Sequence, residues 1–378
     1  MPGRSRVAGY GRKLLLCLQQ RNFGRRVSNY PFSYKISWPV RFLKPSLGGA
    51  KGFMPAHGEF LPVVGKGVRL AFVGDISAEA NRRAPICDAD LAALLASADL
   101  IVGNCESPVV RQPSARLGTR IGTHHAMTRE FLSAALEATG IARDRLVLSL
   151  ANNHVLDQGV EGYEETRATL DALGIATVGT DTIIARMAVG PLTIGLVAFT
   201  QWRNAGAADF SGRVAMVEDF FAASRGGLQG VTDIDLVCAV PHWDWEFRHF
   251  PRPQTRVWAR RLAGLGVGLV AGHHAHVVQP VERIGETLVA YGLGDFLGTA
   301  FVRQPWPGRI GAVLVVDVSA DHSTRGRVAS YRMVPFMRLR EGDREHLVPL
   351  AKVAGRLGAK ARERWAVVYG AGQSSLTN

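Results

Sequence analysis

Cysteine is scarce in this chain, and its spacing excludes two common roles. The 378 residues include four cysteines: Cys17, Cys87, Cys105 and Cys238. No two of them form a CxxC pair, so we do not expect a structural zinc knuckle. So few scattered cysteines in a chain of this length do not predict a disulfide framework either. We interpret them as reduced cysteines of a cytoplasmic protein.

Long apolar runs are also missing. No stretch approaches the roughly 20 apolar residues that a membrane-spanning helix needs. The apolar run that begins at Leu14 ends at Gln19, which is too short for the roughly 7–15 residues of a signal-peptide core. No small-residue cleavage site follows it. We therefore expect a cytoplasmic location, without a clear signal peptide or membrane span, in which any membrane contact is peripheral.

Acidic residues are almost absent from the first 66 positions. Residues 1–66 hold twelve Lys or Arg and one acid, Glu59, a net charge of +11, while the remainder carries +2. Such an arm could contact an anionic membrane, nucleic acid or an acidic polymer, or could be a solvated extension without a specific partner. Because no nucleic-acid-binding module is visible and the aromatic residues of the arm are scattered, we rank nucleic acid last.

The order of the predicted elements indicates an α/β protein. We predict a basic, irregular N-terminal arm over residues 1–66, a main domain over residues 67–340, and a C-terminal helix with a flexible tail over residues 341–378. Strands are predicted at 68–73, 100–102, 146–150, 175–178, 236–240 and 267–271, helices at 88–96, 128–138, 162–173 and 344–355, and hairpin-like strands at 182–189, 192–199, 277–284, 287–291 and 309–318. Helices that alternate with strands and are interrupted by hairpins favour a mixed sheet, or two packed sheets, covered by helices.

Polar side chains follow five of the predicted strands, where ligands gather in open α/β sheets. They are Asp75; Asn104 and Glu106; Asn152, Asn153 and His154; His242 and Glu246; and His273, His274 and His276. Two divalent cations roughly 3.5–4 Å apart need a bridging carboxylate, imidazoles and neutral oxygen donors. Imidazole combined with carboxylate suits Zn, Fe or Mn. We further expect His274 and His276 to share one face of a strand, since side chains repeat every second residue.

Each of these residues also has an ordinary structural explanation. Asp75 could cap a helix, Asn152 and Asn153 could form a turn, and a lone His242 is more often a core or surface histidine. Five polar clusters at five strand ends are much harder to explain by packing. The sequence therefore predicts a site for two divalent metal ions, Mn, Fe or Zn.

The motifs around these residues resemble those of one family. Segment 149–159, SLANNHVLDQG, resembles the SLANNHxxDxG signature of the CapA family of poly-γ-glutamate capsule biosynthesis. In the same order, the chain has further segments that are similar to the family's GD, NLE, HWGxEY, GHHPHxxQ and YSLGNF elements: 74–75, 104–106, 242–247, 272–279 and 291–296. The resemblance covers roughly residues 68–300.

The resemblance implies a calcineurin-like metallophosphoesterase fold, a four-layer α-β-β-α sandwich with mixed sheets. It also implies roles for the metal-binding residues. Asp75 and His276 would hold the first metal, and Glu106 would bridge the two. The second metal would be held by Asn153, His242 and His274. By the alternation of side chains along a strand, His273 would point away from the site. Ser77 stands where ordinary phosphoesterases have the second histidine of a DxH motif.

The resemblance also assigns residues around the metals. His154 would face the substrate as proton donor or oxyanion stabiliser, and Asp157 would orient it. Four further residues would bind substrate or hold the metal ligands in position through hydrogen bonds: Asn104, Asn152, Glu246 and Asp295. The first hypothesis is a metal-dependent hydrolase that acts on a phosphoester or a glutamyl amide. The alternatives are a non-catalytic, metal-assisted grip on an anionic polymer in capsule synthesis or export, and a phosphodiesterase acting on nucleic acid or nucleotides.

Overall fold

The computed structural model describes residues 28–48, 52–62, 67–77, 83–113, 125–181, 183–228, 231–298 and 304–370. Most of the predicted basic arm, with Cys17, and the predicted flexible tail after Gly370 lie outside these residues, as does Thr182 of a predicted hairpin strand. Of the four cysteines, the three that are described are free thiols, and two of them, Cys105 and Cys238, are buried.

Helices and strands alternate along the described chain. The helices are α1 (Phe32–Leu43), α2 (Ala89–Ala96), α3 (Arg129–Ala138), α4 (Gly159–Ala172), α5 (Ala207–Phe210), α6 (Val217–Ala223), α7 (Pro253–Gly264) and α8 (Gly355–Tyr369). The strands are β1 (His57–Glu59), β2 (Gly67–Ile76), β3 (Ile86–Cys87), β4 (Leu100–Cys105), β5 (Leu146–Ser149), β6 (Ala176–Val178), β7 (Ala185–Val189), β8 (Leu192–Thr200), β9 (Leu236–His242), β10 (Leu269–Ala271), β11 (Val278–Ile284), β12 (Thr287–Leu293), β13 (Asp295–Leu297), β14 (Ile310–Ser319), β15 (Val328–Glu341) and β16 (Arg344–Pro349).

The larger sheet contains ten strands in the order β3-β16-β15-β14-β2-β4-β5-β6, with β1 paired to β15 and β13 paired to β2. Strands β2, β4, β5 and β6 run parallel to one another, whereas β14, β15 and β16 are antiparallel neighbours. The parallel part is built from continuous apolar runs, which is typical of strands covered on both faces. Every residue of β4 and of β5 is buried.

The smaller sheet contains six strands in the order β11-β12-β10-β9-β8-β7. Strands β8, β9, β10 and β12 are parallel, and the hairpins β7–β8 and β11–β12 are antiparallel. The predicted hairpins at these two places are confirmed. Both sheets are therefore mixed.

The two sheets pack face to face, and helices cover their outer faces. One continuous apolar core contains residues of both sheets, such as Phe72 and Leu314 of the larger and Leu196 and Leu288 of the smaller. A second core lies between the smaller sheet and helices α6 and α7, and includes Phe220 and Leu262. This is the predicted four-layer α-β-β-α sandwich, and the predicted fold class is confirmed.

Two of the described helices, α2 and α3, begin at a side-chain cap. The hydroxyl of Thr128 accepts a hydrogen bond from the backbone N–H of Phe131 at 3.2 Å and begins α3. The carboxylate of Asp88 accepts one from the N–H of Asp90 at 3.1 Å and begins α2. Such caps satisfy N–H groups that lack a partner inside the helix, so both helices begin where the sequence predicted.

Two local predictions are wrong. The helix expected over 344–355 is strand β16, which pairs with β15, and the last helix runs from Gly355 to Tyr369 instead. The stretch 32–43, expected to be irregular, forms α1 in spite of Pro39. Among the described residues, no helix combines the length and the apolar character needed to cross a membrane.

Candidate metal centre

The site lies where strands of both sheets end, and strand register brings its first residues together. Asp75 of β2 is in register with Asn104 of β4 on one side and with Asp295 of β13 on the other. Asn104 is in turn in register with Ser149, at the end of β5. Parallel strands present their carboxyl ends at one edge of the sheet, so residues distant in the sequence become neighbours here.

Two glycines permit the close approach of chain segments beside the site. A Cβ atom on Gly74 would lie 1.8 Å from the carbonyl oxygen of Gly294. A Cβ atom on Gly272 would lie 2.0 Å from the carbonyl oxygen of Tyr291. No side chain fits at either position, which explains why glycine immediately precedes both Asp75 and the histidine segment.

One group of donors surrounds His276. Its Nδ1 lies 2.6 Å from Oδ1 of Asp295 and 3.7 Å from Oδ2 of Asp75, and its Nε2 lies 3.7 Å from Oε1 of Glu106. Side-chain atoms of Asp75, His276 and Asp295 lie close enough together to hold one ion. The residues predicted for the first metal are thus brought together, and Asp295 joins them.

A second group surrounds His242. Its Nε2 lies 2.7 Å from Oδ1 of Asn153, 3.1 Å from Nδ1 of His274 and 3.7 Å from Oε1 of Glu106. These are the residues predicted for the second metal. Glu106 lies between the two groups, since the same Oε1 atom is 3.7 Å from His242 and from His276.

The histidine segment is not a strand, and the prediction that His274 and His276 share a strand face is wrong. Residues 272–277 form a loop between β10 and β11, in which φ is +83° at His274 and +51° at His276. The backbone N–H of His274 donates to Oδ2 of Asp75 at 3.1 Å, which helps to fix this unusual conformation. Both rings still reach the site, with centroids 5.9 Å apart. His273 instead lies with Nε2 2.9 Å from the carbonyl oxygen of Val73.

Burial dominates the electrostatics of the site. It raises the pKa of Glu106 well above its usual range, raises that of Asp75, and lowers those of His242 and His274 well below the usual value. Burial also lowers the pKa of His276. The nearby carboxylates of Asp295 and Glu106 outweigh this effect, so the pKa of that ring is raised. Charged carboxylates are costly here unless a cation compensates them.

The donor atoms fit divalent metal ions. Glu106 Oε1 and His274 Nε2 are buried, and neither makes a hydrogen bond with any described residue. Buried polar atoms without partners are rare in proteins, so each such atom calls for an explanation. Imidazole nitrogen, carboxylate oxygen and amide oxygen are also the donors that Mn, Fe and Zn accept. Metal ions would supply the missing partners and the missing positive charge.

His154 and Asp157 lie beside this cluster. Nδ1 of His154 is 2.6 Å from Oδ2 of Asp157, which fits the orienting role predicted for the carboxylate. Asn204 Nδ2 is 3.2 Å from the same nitrogen of His154 and connects it to the loop after β8. Sequence reasoning missed Asn204, and it also missed His125, whose ring stacks on that of His154.

The four residues predicted to bind substrate or to support the metal ligands have different hydrogen-bond partners. Asn104 donates to Asp75 at 2.7 Å, and Asn152 donates to Oδ1 of Asn104 at 3.1 Å, so two amides fix the first carboxylate. Asp295 uses its second oxygen to accept from the buried Arg338 at 2.9 Å. Arg338 was not predicted, because a lone arginine in a strand carries no signal of its own.

Glu246 connects the site to helix α1, which was also missed. Its carboxylate lies 4.0 Å from Nε2 of His274 and accepts a hydrogen bond from the indole N–H of Trp38. The ring of Tyr30, just before the helix, stacks on Trp202 with centroids 4.7 Å apart and lies 6.2 Å from that of His274. The segment that leads into the main domain therefore covers one side of the candidate metal site.

Comparison with known proteins agrees with this geometry. Residues 69–300 match the family described as Bacterial capsule synthesis protein PGA_cap, more than half of the chain. The chain belongs to this family. The resemblance of its motifs to the CapA family is thereby confirmed.

Curated CapA relatives share the same region. The chain is 27% identical to the PGA biosynthesis protein CapA of Bacillus subtilis (strain 168) over 213 residues, 53% of each chain. It is 27% identical to the capsule biosynthesis protein CapA of Bacillus anthracis over 214 residues, 54% of this chain and 51% of that protein. The chain thus spans about half the length of the curated relatives it matches.

Among solved structures, a novel phosphatase of Mycoplasma pneumoniae is similar over 72% of this chain and 94% of its own. The TM-score is 0.43 and the sequence identity is 10%. A likeness at this level carries no argument about the function of the chain.

Proposed function

We propose that this CapA-family protein is a metal-dependent hydrolase in the synthesis of an anionic capsular polymer. Its substrate would be a phosphoester or a glutamyl amide. One observation carries the proposal: Oε1 of Glu106 is buried, makes no hydrogen bond with any described residue, and lies 3.7 Å from both His242 and His276. That placement suits a carboxylate shared by two ions.

Separate groups of residues would hold the ions, donate the proton and position the ligands. Asp75, His276 and Glu106 would hold one ion, and Glu106, Asn153, His242 and His274 would hold the other. When bound, divalent cations act as Lewis acids that polarise a phosphoryl or carbonyl oxygen. Asp157 accepts from Nδ1 of His154 and would stabilise the protonated imidazolium form of that ring, whose Nε2–H would then donate its proton to the leaving group. Asn104 and Asn152 hold Asp75 in place.

The test combines metal content with turnover. Elemental analysis should find metal in the full chain, and added Mn²⁺ should support hydrolysis of an aryl phosphodiester or shortening of poly-γ-glutamate. His274→Ala should lower both the metal content and the rate, the latter by about 100-fold or more, since it removes a proposed metal ligand. His57→Ala is the matched control, because His57 is exposed on β1, which strands β15 and β14 separate from β2 and its Asp75.

Three results would contradict the hydrolase proposal. Metal without turnover of either substrate would favour the alternative, a non-catalytic grip on an anionic polymer. A rate that is equal in His274→Ala and His57→Ala would assign the turnover to a contaminant. Absence of metal after loading with Mn, Fe and Zn would contradict both roles.

A further inference from the structure

Helix α1 carries apolar side chains on two faces, and the described residues cover only one of them. Four large residues, Phe32, Ile36, Val40 and Leu43, are between 60% and 77% exposed. Their spacing of four, four and three residues places them in one stripe along the helix. The described chain exposes eight large hydrophobic residues in all, and half of them are in this stripe.

The opposite face of α1 is fixed to the body of the protein. Trp38 donates to the carboxylate of Glu246, and Nε of Arg41 donates to the Glu246 carbonyl at 2.9 Å. Tyr34 packs edge-on against Trp245, with centroids 5.4 Å apart. The helix therefore cannot turn to bury the outer stripe without losing these contacts beside the metal cluster.

Two lysines flank the outer stripe. Lys35 and Lys44 are exposed, and on a helical projection they lie on either side of it. No Asp or Glu occurs between residues 28 and 48, and residues 1–27 contain seven Lys or Arg and no acid. A second copy of the chain docked on this face would bring like charges together without an acid to pair them. A surface with negative charge outside and an apolar interior would pair with the lysines and would also bury the apolar stripe.

We propose that the outer face of α1 docks on an anionic lipid bilayer. An amphipathic helix lies in the plane of the interface, with its apolar side chains buried roughly 5–10 Å deep and its basic residues at the headgroups. The twelve residues of α1 extend about 18 Å. Because the inner face of α1 contacts Glu246, docking would place the metal cluster about one helix diameter, roughly 10–12 Å, from the lipid headgroups.

The experiment is vesicle co-sedimentation of the full chain. We expect binding to phosphatidylcholine vesicles that contain phosphatidylglycerol, and at least tenfold weaker binding to phosphatidylcholine alone. Ile36→Ser combined with Val40→Ser should weaken binding to the anionic vesicles at least tenfold. The matched control, Ile183→Ser combined with Val367→Ser, changes two exposed aliphatic residues elsewhere and should bind like the wild type.

Three outcomes would overturn the proposal. The first is equal binding to neutral and anionic vesicles, or no binding. The second is wild-type binding by the Ile36→Ser and Val40→Ser variant, which would assign attachment to the basic residues alone. The third is a wild-type dimer that this variant dissociates, since a second copy would then cover the face. An unchanged melting temperature of the variant shows that it folds.

Discussion

The imidazole ring of His125 lies parallel to that of His154, with centroids 3.6 Å apart and planes 5° apart. The backbone N–H of His125 also donates to Oδ2 of Asp157 at 2.6 Å, the same oxygen that lies 2.6 Å from Nδ1 of His154. Ser77, at the position of the absent second histidine of DxH, lies with its hydroxyl 3.3 Å from Nδ1 of His125. His154 is thus held on its face by a ring and at its edge by a carboxylate.

Replacing His125 should impair catalysis without removing metal. His125→Ala leaves His154 without its stacking partner, so we expect kcat to fall about 10- to 100-fold, as for other residues that orient a functional histidine. His125→Phe keeps a flat ring and should recover most of the rate. Steady-state kinetics and elemental analysis check this, and loss of metal in His125→Ala would show that the ring belongs to the metal site instead.

Glu106→Gln should make the metal-free protein more stable and the metal-loaded protein less stable. Burial raises the pKa of Glu106, so its charged form is disfavoured in the folded state. A neutral amide removes that cost. In a chelator the variant should melt a few degrees above the wild type. With Mn²⁺ at 100 times its Kd the wild type should gain about 2.7 kcal/mol for each bound ion, and the variant should gain far less.

In a chelator, the gain in stability of Glu106→Gln over the wild type should grow as the pH rises. A carboxyl whose pKa is raised on folding contributes stability that is complete below its unfolded pKa, about 4.3, and is lost as pH rises through the folded value. The amide does not titrate. The difference in melting temperature should therefore be small near pH 4 and should grow towards pH 8. Scanning calorimetry across this range checks the sign, and a difference that shrinks with pH would refute the account.

Arg338 should matter for folding because it pairs with two buried carboxylates. It is fully buried and bonds Asp295 at 2.9 Å and Glu345 at 3.1 Å. Arg338→Met removes the cation that pairs with both buried carboxylates, so we expect a loss of about 3–5 kcal/mol in the free energy of unfolding. The control is Arg327→Met, which breaks an exposed pair with Glu286 and should leave the free energy of unfolding almost unchanged. Urea denaturation of both variants measures the loss in the free energy of unfolding. Equal losses in the two variants would contradict the buried pairing.

Gly74→Ala should separate the strands that carry Asp75 and Asp295. The new methyl group would meet the backbone oxygen of Gly294 at 1.8 Å, where no flexible side chain can move away. We expect a loss of about 3 kcal/mol or more, together with weaker metal retention. Gly264→Ala, at the end of α7 with no atom within 4 Å, should be neutral or stabilising by up to about 1 kcal/mol. A chain that tolerates both substitutions equally would contradict the packing described here.

The sequence predicted the parts of the site that follow apolar strands. Strand register places Asp75, Asn104 and Ser149 side by side. Glu106 and Asn153 follow two of these strands closely in the sequence, so they come to the same edge. The histidine loop could not be predicted, because the left-handed conformation of His274 is supported by a bond to Asp75, 199 residues away. His125 carries no motif, and only tertiary structure shows its stack on His154.

The two wrong predictions of secondary structure have the same physical cause. Helix α1 contains Pro39 and several aromatic and β-branched residues, which favour helix weakly. It is stabilised by packing, as where Trp38 and Phe42 contact Phe247. The stretch after Arg344 looked helical, but its pairing with β15 makes it a strand. In both cases contacts distant in the sequence outweigh local preference.

The most direct test of the central claim is the number and proximity of bound metal ions. The full chain loaded with Mn²⁺ would be measured by elemental analysis and by electron paramagnetic resonance. The account predicts two Mn²⁺ per chain with a spectrum of magnetically coupled ions, and loss of the coupling in Glu106→Gln, since Glu106 lies between both groups of donors. A single ion per chain, or two ions with uncoupled spectra at full occupancy, would contradict the shared carboxylate and the two-metal site built on it.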